Sequence, residues 1–292
     1  MTTLPAAGPI DVAVKRGMVR DALRRHPTMI IGLILLGAMV LMAVFAPYLG
    51  TIDPQDLSPV RRLRQPSDLY WFGTDMLGRD VYSRTVYGAR ISLIVGIAVA
   101  VLSVGIGLFF GLITGYVRLA DTLIMRVMDG LMSIPPILLA IALMALTKAS
   151  LENVILAITI AEVPRVTRLV RSVVLGLREQ PFVEAAVASG TRFHNVLIRH
   201  ILPNTVAPLL VQGTYICASA MITEAILSFI GAGTPPTIPS WGNIMAEGRS
   251  VFQIAYYIIL FPGIFLSVAV LAVNLVGDGL RDALDPRLAR RM

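Results

Sequence analysis

The chain has 292 residues, 56% of them hydrophobic and only 15% charged, with a mean hydropathy of +0.76. Ordinary soluble domains carry about 25% charged residues, so this composition excludes a water-soluble globular protein and points to one polytopic membrane domain. The formal charge of +7 would suit a nucleic-acid partner if its cations gathered on one polar face, but the Arg residues flank apolar blocks, the arrangement that orients membrane proteins.

In chain order, residues 1–27 form a polar, basic tail with Lys15, Arg16, Arg20, Arg24 and Arg25 ahead of the first apolar block. That block runs about 20 residues, longer than a signal-peptide core, and is expected to stay as a helix. A bilayer-spanning helix needs about 20 mainly apolar residues, because no water reaches the backbone in the hydrocarbon core. Six segments qualify, and an all-α fold of about six transmembrane helices is expected. The first is 28–48, followed by an extracytoplasmic loop over 49–90. A core over 91–276 holds the other five, at 91–116, 131–146, 154–174, 206–230 and 254–276, and residues 277–292 form a second tail.

The third span is short and carries Pro135-Pro136, and the fourth is broken by Glu162, Pro164 and Arg165. Glu162 and Arg165, at i,i+3, can pair. In the second, Gly107, Gly111 and Gly115 recur every four residues and offer one face for close helix approach.

The segments assigned to the cytoplasm hold about twice as many of the 25 Lys and Arg residues as those assigned outside. Both termini are therefore expected in the cytoplasm. The weak point is the first outer loop, with Arg61, Arg62, Arg64, Arg79, Arg84 and Arg90 among acids such as Asp53, Asp56, Asp68, Asp75 and Asp80.

A cytoplasmic loop over 175–204 is too polar to cross a membrane and reads EAAVASGTRFHNVLIRHILPN from Glu184 to Asn204. Residues 182–189 read as a short helix and Gly190 as a break. Phe193, Val196, Leu197 and Ile201 form an apolar stripe at helical spacing, and Pro203 is expected to end the segment. A helix exposing Ala185 and Ala186 can enter a narrow cleft on a partner, with Glu184, Arg192 and Arg199 fixing its register. The same residues equally suit a helix lying on lipid headgroups.

The spacing from Glu184-Ala185-Ala186 through Gly190 to His200, Leu202 and Pro203 is similar to the EAA loop of ABC importer permeases, and the His200 to Asn204 ending resembles the peptide and nickel branch. Further motifs agree: Gly73-Thr74-Asp75 with Gly78-Arg79-Asp80, Leu227 to Gly231, Pro239-Ser240-Trp241-Gly242, Gly277 to Asp282, and Asp285-Pro286-Arg287. Over about residues 20–290 the chain resembles the C-type permease of dipeptide and oligopeptide importers.

The resemblance implies a type I ABC importer permease fold in the bacterial inner membrane. Its implied partners are a second homologous permease subunit in a heterodimer, two ATPase subunits, an extracytoplasmic substrate-binding protein and the membrane lipid. It also implies ATPase coupling through Glu184, Ala185, Ala186, Gly190, Arg192, Phe193, Leu197, His200, Leu202 and Pro203.

The loop at 53–90, with Tyr70 and Trp71, suits a gate or a landing surface for a binding protein, and equally an interfacial aromatic belt. Gly231, Gly233, Pro235, Pro236 and Pro239 force irregular backbone, tolerable only when buried or lining an aqueous cavity. Glu224, Phe229 and Trp241 are candidates for the path or gate, with helix packing the preferred role for Glu224. No catalytic site is expected. The only lysines, Lys15 and Lys148, lie outside any GxxxxGK[ST] sequence, so ATP and its magnesium belong to partner subunits. His26, His194 and His200 form no metal motif, and Cys217 is alone. Importers of nickel or glutathione, or an ion-gradient-driven transporter, are the competing readings.

Overall fold

The computed structural model describes residues 27–284. The basic cluster from Lys15 to Arg25, the Asp285-Pro286-Arg287 motif, and Arg290 and Arg291 lie outside the described residues. Within them the chain is helical, with one isolated antiparallel bridge between Thr74 and Asp80.

Helix α1, Pro27–Val44, buries only Met29, Gly32 and Ala43. It lies against the last helix, α10 (Tyr257–Leu284), where a side chain on Gly32 would meet Leu275 Cβ at 2.8 Å. Arg90 of the next helix donates to the end carbonyls of α1, those of Ala43 and Val44, satisfying acceptors that a helix C-terminus leaves open.

Helix α2, Val81–Tyr116, has 36 residues, about 54 Å at 1.5 Å per residue against a hydrocarbon core of ~30 Å. Residues 81–90, expected in the outer loop, are its first turns. Asp80 caps that end, accepting from the Ser83 N–H at 2.8 Å.

The expected third span over 131–146 is not one helix. Helix α3, Arg118–Met132, meets α4, Pro136–Ala145, at a corner of 89°. Pro135 and Pro136 have no N–H to continue α3, so the bend falls there.

Helix α5, Leu151–Arg178, runs through Pro164 without the expected break. Proline removes one helical hydrogen bond, but the helix continues through it, packed closely on α2 just beyond Pro164. Gly107, Gly111 and Gly115 of α2 receive Val166, Val170 and Val174 of α5, each valine Cβ lying 2.5 Å from where a glycine Cβ would stand. This interlock centres the main core cluster, which α4 and the cytoplasmic segment also enter.

Two short helices, α6 (Pro181–Ala188) and α7 (Phe193–Val196), lead through a π-helical turn, Leu197–Ile201, into α8 (Leu202–Phe229). Pro203 does not end the segment: Phe193–Phe229 is one helical run of 37 residues. Proline is accommodated because it stands in the first turn of α8, where few N–H partners are required.

Helix α9, Trp241–Gly248, packs on α8 and α10. Helix α10 ends at Leu284, so residues 277–284, expected in the tail, extend the last helix.

Among the described residues, α1, α2, the Phe193–Phe229 run and α10 are long and apolar enough to cross a membrane, and the bent pair α3 and α4 adds a fifth candidate. The charges of α5 keep it from qualifying by composition, yet its fit to α2 places it at the same depth.

Candidate functional site

The cytoplasmic segment begins where α6 starts with Pro181 in its first turn. It closes with paired bonds, Thr191 N–H to Ala186 C=O at 3.1 Å and Gly190 N–H to Val187 C=O at 3.0 Å. This is the Schellman pattern, in which the residue after the cap adopts the left-handed conformation. Gly190 does so, with φ of 80°.

Glu184 and Ala185 face outward, whereas Ala186 is buried with Val183. The expectation that both alanines are exposed is therefore corrected. Residues 183 and 186, three apart, share the face of α6 turned to the core.

Val196, Leu197 and Ile201 are buried in the main core cluster together with Val183. Phe193 is exposed but packs edge-on against Tyr116 at the end of α2, with centroids 4.7 Å apart. Arg192 and Pro203 are exposed, and His200 and Leu202 half-buried. The His200 carbonyl accepts from Asn204 Nδ2 at 2.7 Å, which stabilises the π-helical turn just ahead of Pro203.

Between α6 and the ends of α2 and α5 lies a cleft of about 470 Å³, lined by Tyr116, Arg178, Val183, Glu184, Val187 and Ala188. The Arg178 guanidinium stands 6.0 Å from the centroid of the Tyr116 ring. Periodicity within the 184–203 segment could not reveal this cleft, because one wall, Tyr116, comes from a helix about 70 residues away and another, Arg178, lies before the segment.

The three candidates for path or gate differ in exposure, and Glu224 is internal, as its preferred packing role requires. Trp241 and Glu224 are fully buried within this chain and line no surface. Trp241 donates from Nε1 to the Thr85 carbonyl at 2.9 Å and packs over Gly88. Glu224 accepts from Ser228 Oγ at 2.8 Å. Only Phe229 is partly open, with the Arg249 guanidinium 5.6 Å over its ring.

On the outer side, the two motifs Gly73-Thr74-Asp75 and Gly78-Arg79-Asp80 fold into an ionic cluster. Asp75 Oδ2 accepts from Arg79 Nε at 2.7 Å and from Arg84 Nη1 at 2.6 Å. Glu247 of α9 binds both arginines in turn. Tyr257 holds the loop from the other side, donating to the Arg64 carbonyl at 2.8 Å. Two of the six arginines of this loop are thereby paired with carboxylates. Trp71 is exposed and leans on Tyr82, with centroids 4.7 Å apart. Among the described residues no group of three or more His, Cys, Asp or Glu is placed to hold a metal ion.

Residues 103–290 match the family described as binding-protein-dependent transport system inner membrane component, and residues 17–66 match the N-terminal TM domain of oligopeptide transport permease C. A probable peptide ABC transporter permease protein of Sinorhizobium fredii is 57% identical over 100% of this chain and 99% of its own length. A dipeptide transport system permease protein of Alkalihalophilus pseudofirmus is 43% identical, covering 91% and 88%. A glutathione transport system permease protein of Pectobacterium atrosepticum is 40% identical, covering 99% and 96%. Among solved structures, inward-facing MetNI methionine ABC transporter matches with a TM-score of 0.54 at 19% identity, over 69% of this chain and 96% of that one. That likeness speaks to the fold.

Proposed function

Because the chain belongs to the family of binding-protein-dependent transport system inner membrane components, we propose that it forms half of the translocation path of an ABC importer for di- or oligopeptides. It is a multi-pass membrane protein and a permease subunit. The proposed assembly adds a second homologous permease, two ATPase subunits and an extracytoplasmic binding protein, with both termini of this chain in the cytoplasm. ATP and magnesium act on the partner ATPase subunits, and this chain hydrolyses nothing itself. Identity of 57% along the whole chain to a probable peptide permease supports the peptide as solute.

The observation that carries the coupling role is the two-sided character of α6. Glu184 and Ala185 are open to a partner, while on the other face Val183 joins the core cluster beside α2 and α5 and Ala186 is buried next to it. A push on the outer face is then passed to the membrane helices through packed side chains rather than absorbed by a loose loop. Transmission of this kind requires the partner to contact the two states differently. The Schellman closure at Gly190 fixes the angle between α6 and α7, and α7 leads directly into the long α8 helix.

Replacing Gly190 with Val tests this. No neighbouring atom lies within 4 Å of the added Cβ, so any effect comes from the backbone, where a β-branched residue at positive φ costs about 1–3 kcal/mol. In the reconstituted importer at matched expression, G190V should keep membrane insertion while losing most uptake or ATPase recruitment. Normal uptake together with normal ATPase activity would reject the coupling role of this segment.

A further inference from the structure

The corner between α3 and α4 exposes irregular backbone at a depth where lipid offers no hydrogen-bond partner. Helix α4 has ten residues, a climb of about 15 Å, roughly half of a ~30 Å hydrocarbon core. It packs along the outer part of α5, with Ala140 and Met144 in one cluster with Val154, Ala157 and Ile158. The corner residues Met132, Ser133, Ile134, Pro135 and Pro136 are all exposed. Among the described residues no backbone N–H pairs with the carbonyls of Ser133 and Ile134.

Charges are exposed at the same level. Counting from Leu151 as the outer end, Arg165 lies about 21 Å and Arg168 about 25 Å along α5, short of the ~30 Å that a hydrocarbon core spans. The side chain of Arg165 is 38% exposed, that of Arg168 50% and that of Asp129 58%. Asp129 of α3 pairs with Arg168 at 2.6 Å. Arg165 has one looser contact, Glu162 at 3.3 Å, and stands 5.5 Å over the exposed ring of Tyr215 on α8.

Neither an open backbone corner nor exposed guanidinium groups can face lipid tails; both are tolerated at membrane depth only against protein or water. A tightly packed protein neighbour would have to supply Arg165 with an acceptor beyond Glu162. We propose that the α3–α4 corner, with the α5 face carrying Arg165 and Arg168, forms a wall of the water-filled path, and that Arg165 there receives the carboxylate of the passing peptide. The planar fork of Arg suits a carboxylate, and its N–H groups are not saturated by Glu162. The exposed carbonyls at the corner supply acceptors for the peptide's own N–H groups. The carboxylate contact rests on the peptide reading above, whereas the aqueous wall does not.

The test uses the complete importer, reconstituted with its partner subunits, in a Cys217→Ala background. Ser133→Cys and Ile134→Cys should react with a hydrophilic methanethiosulfonate reagent, and trialanine with ATP should slow that reaction. Labelling by a lipophilic maleimide alone would overturn the aqueous wall, and so would protection from both reagents with cross-linking of position 134 to the second permease. Arg165→Gln should lower uptake of trialanine about tenfold, the scale of a lost charge-assisted contact, with less effect on C-terminally amidated trialanine and partial retention in Arg165→Lys. Equal loss for both peptide forms would overturn the carboxylate contact. A wild-type importer that takes up neither peptide sinks the peptide reading and that contact together, while the labelling result still decides the wall.

Discussion

Gly111→Ala puts the smallest possible side chain into the seam between α2 and α5. Its Cβ would stand 2.5 Å from Val170 Cβ, 2.7 Å from Val170 Cγ1 and 2.9 Å from the Thr167 carbonyl oxygen. Carbon atoms settle at about 3.5–4.0 Å, so the helices must part by roughly 1 Å. The carbonyl belongs to the backbone and cannot rotate away. Parting at Gly111 also loosens the fits of Gly107 with Val166 and of Gly115 with Val174. Overpacking costs about 1–3 kcal/mol, and alanine's helix preference over glycine returns about 1 kcal/mol, which leaves a loss of up to about 2 kcal/mol. Reversible unfolding of the purified chain in mixed micelles reads this directly. The control is Gly105→Ala in the same helix, where the added carbon meets nothing within 4 Å and only the helix preference should register. If Gly111→Ala matches Gly105→Ala, close approach is not what holds these helices together.

Of three further outcomes, two are read in the same unfolding assay and the third by limited proteolysis. Glu247→Ala deprives Arg84, which is 1% exposed, of a hydrogen-bonded countercharge. Breaking a buried pair costs about 3–5 kcal/mol, and because Glu247 is itself 22% exposed, about 2 kcal/mol is expected, with Glu247→Gln milder; an unchanged midpoint for Glu247→Ala would show the cluster to be dispensable. Trp241→Phe removes the donor to the Thr85 carbonyl and should cost about 1 kcal/mol or more; no loss would mean that this bond does not fasten α9 to α2. Asn243→Ala removes the Nδ2 amide, whose two N–H groups are shared among the Thr234 carbonyl and hydroxyl and the Pro235 and Ile238 carbonyls. The turn over 230–240 should then become sensitive to limited proteolysis, and an unchanged digestion pattern would assign its shape to the prolines alone.

Hydropathy along the chain was enough to find the membrane class and most spans, because the demand for backbone hydrogen bonds in lipid acts locally on runs of about 20 residues. The same local view misread residues 131–146. Their apolar content is real, but two adjacent prolines turn the chain by 89°, and hydropathy averages do not register direction. At Pro164 the error ran the other way. A local rule expected a break, and the helix instead runs on through Pro164, locked to α2 by the glycine-valine interlock.

The small-residue helix before Gly190 and the left-handed glycine itself were legible from residue type, since positive φ is a property of single residues. Which alanine faces a partner was not, because burial of Ala186 depends on α6 lying against the core.

The sequence by itself determined an all-helical membrane chain, its apolar segments and the break at Gly190, each a consequence of local backbone chemistry. Only the tertiary structure decided that Trp241 and Glu224 are internal and that Glu247 closes an ionic cluster with Arg79 and Arg84. It alone brought Arg165, Asp129 and the α3–α4 corner to one exposed level, for these meetings join residues tens to more than a hundred positions apart and arise from helix packing, which no local pattern encodes.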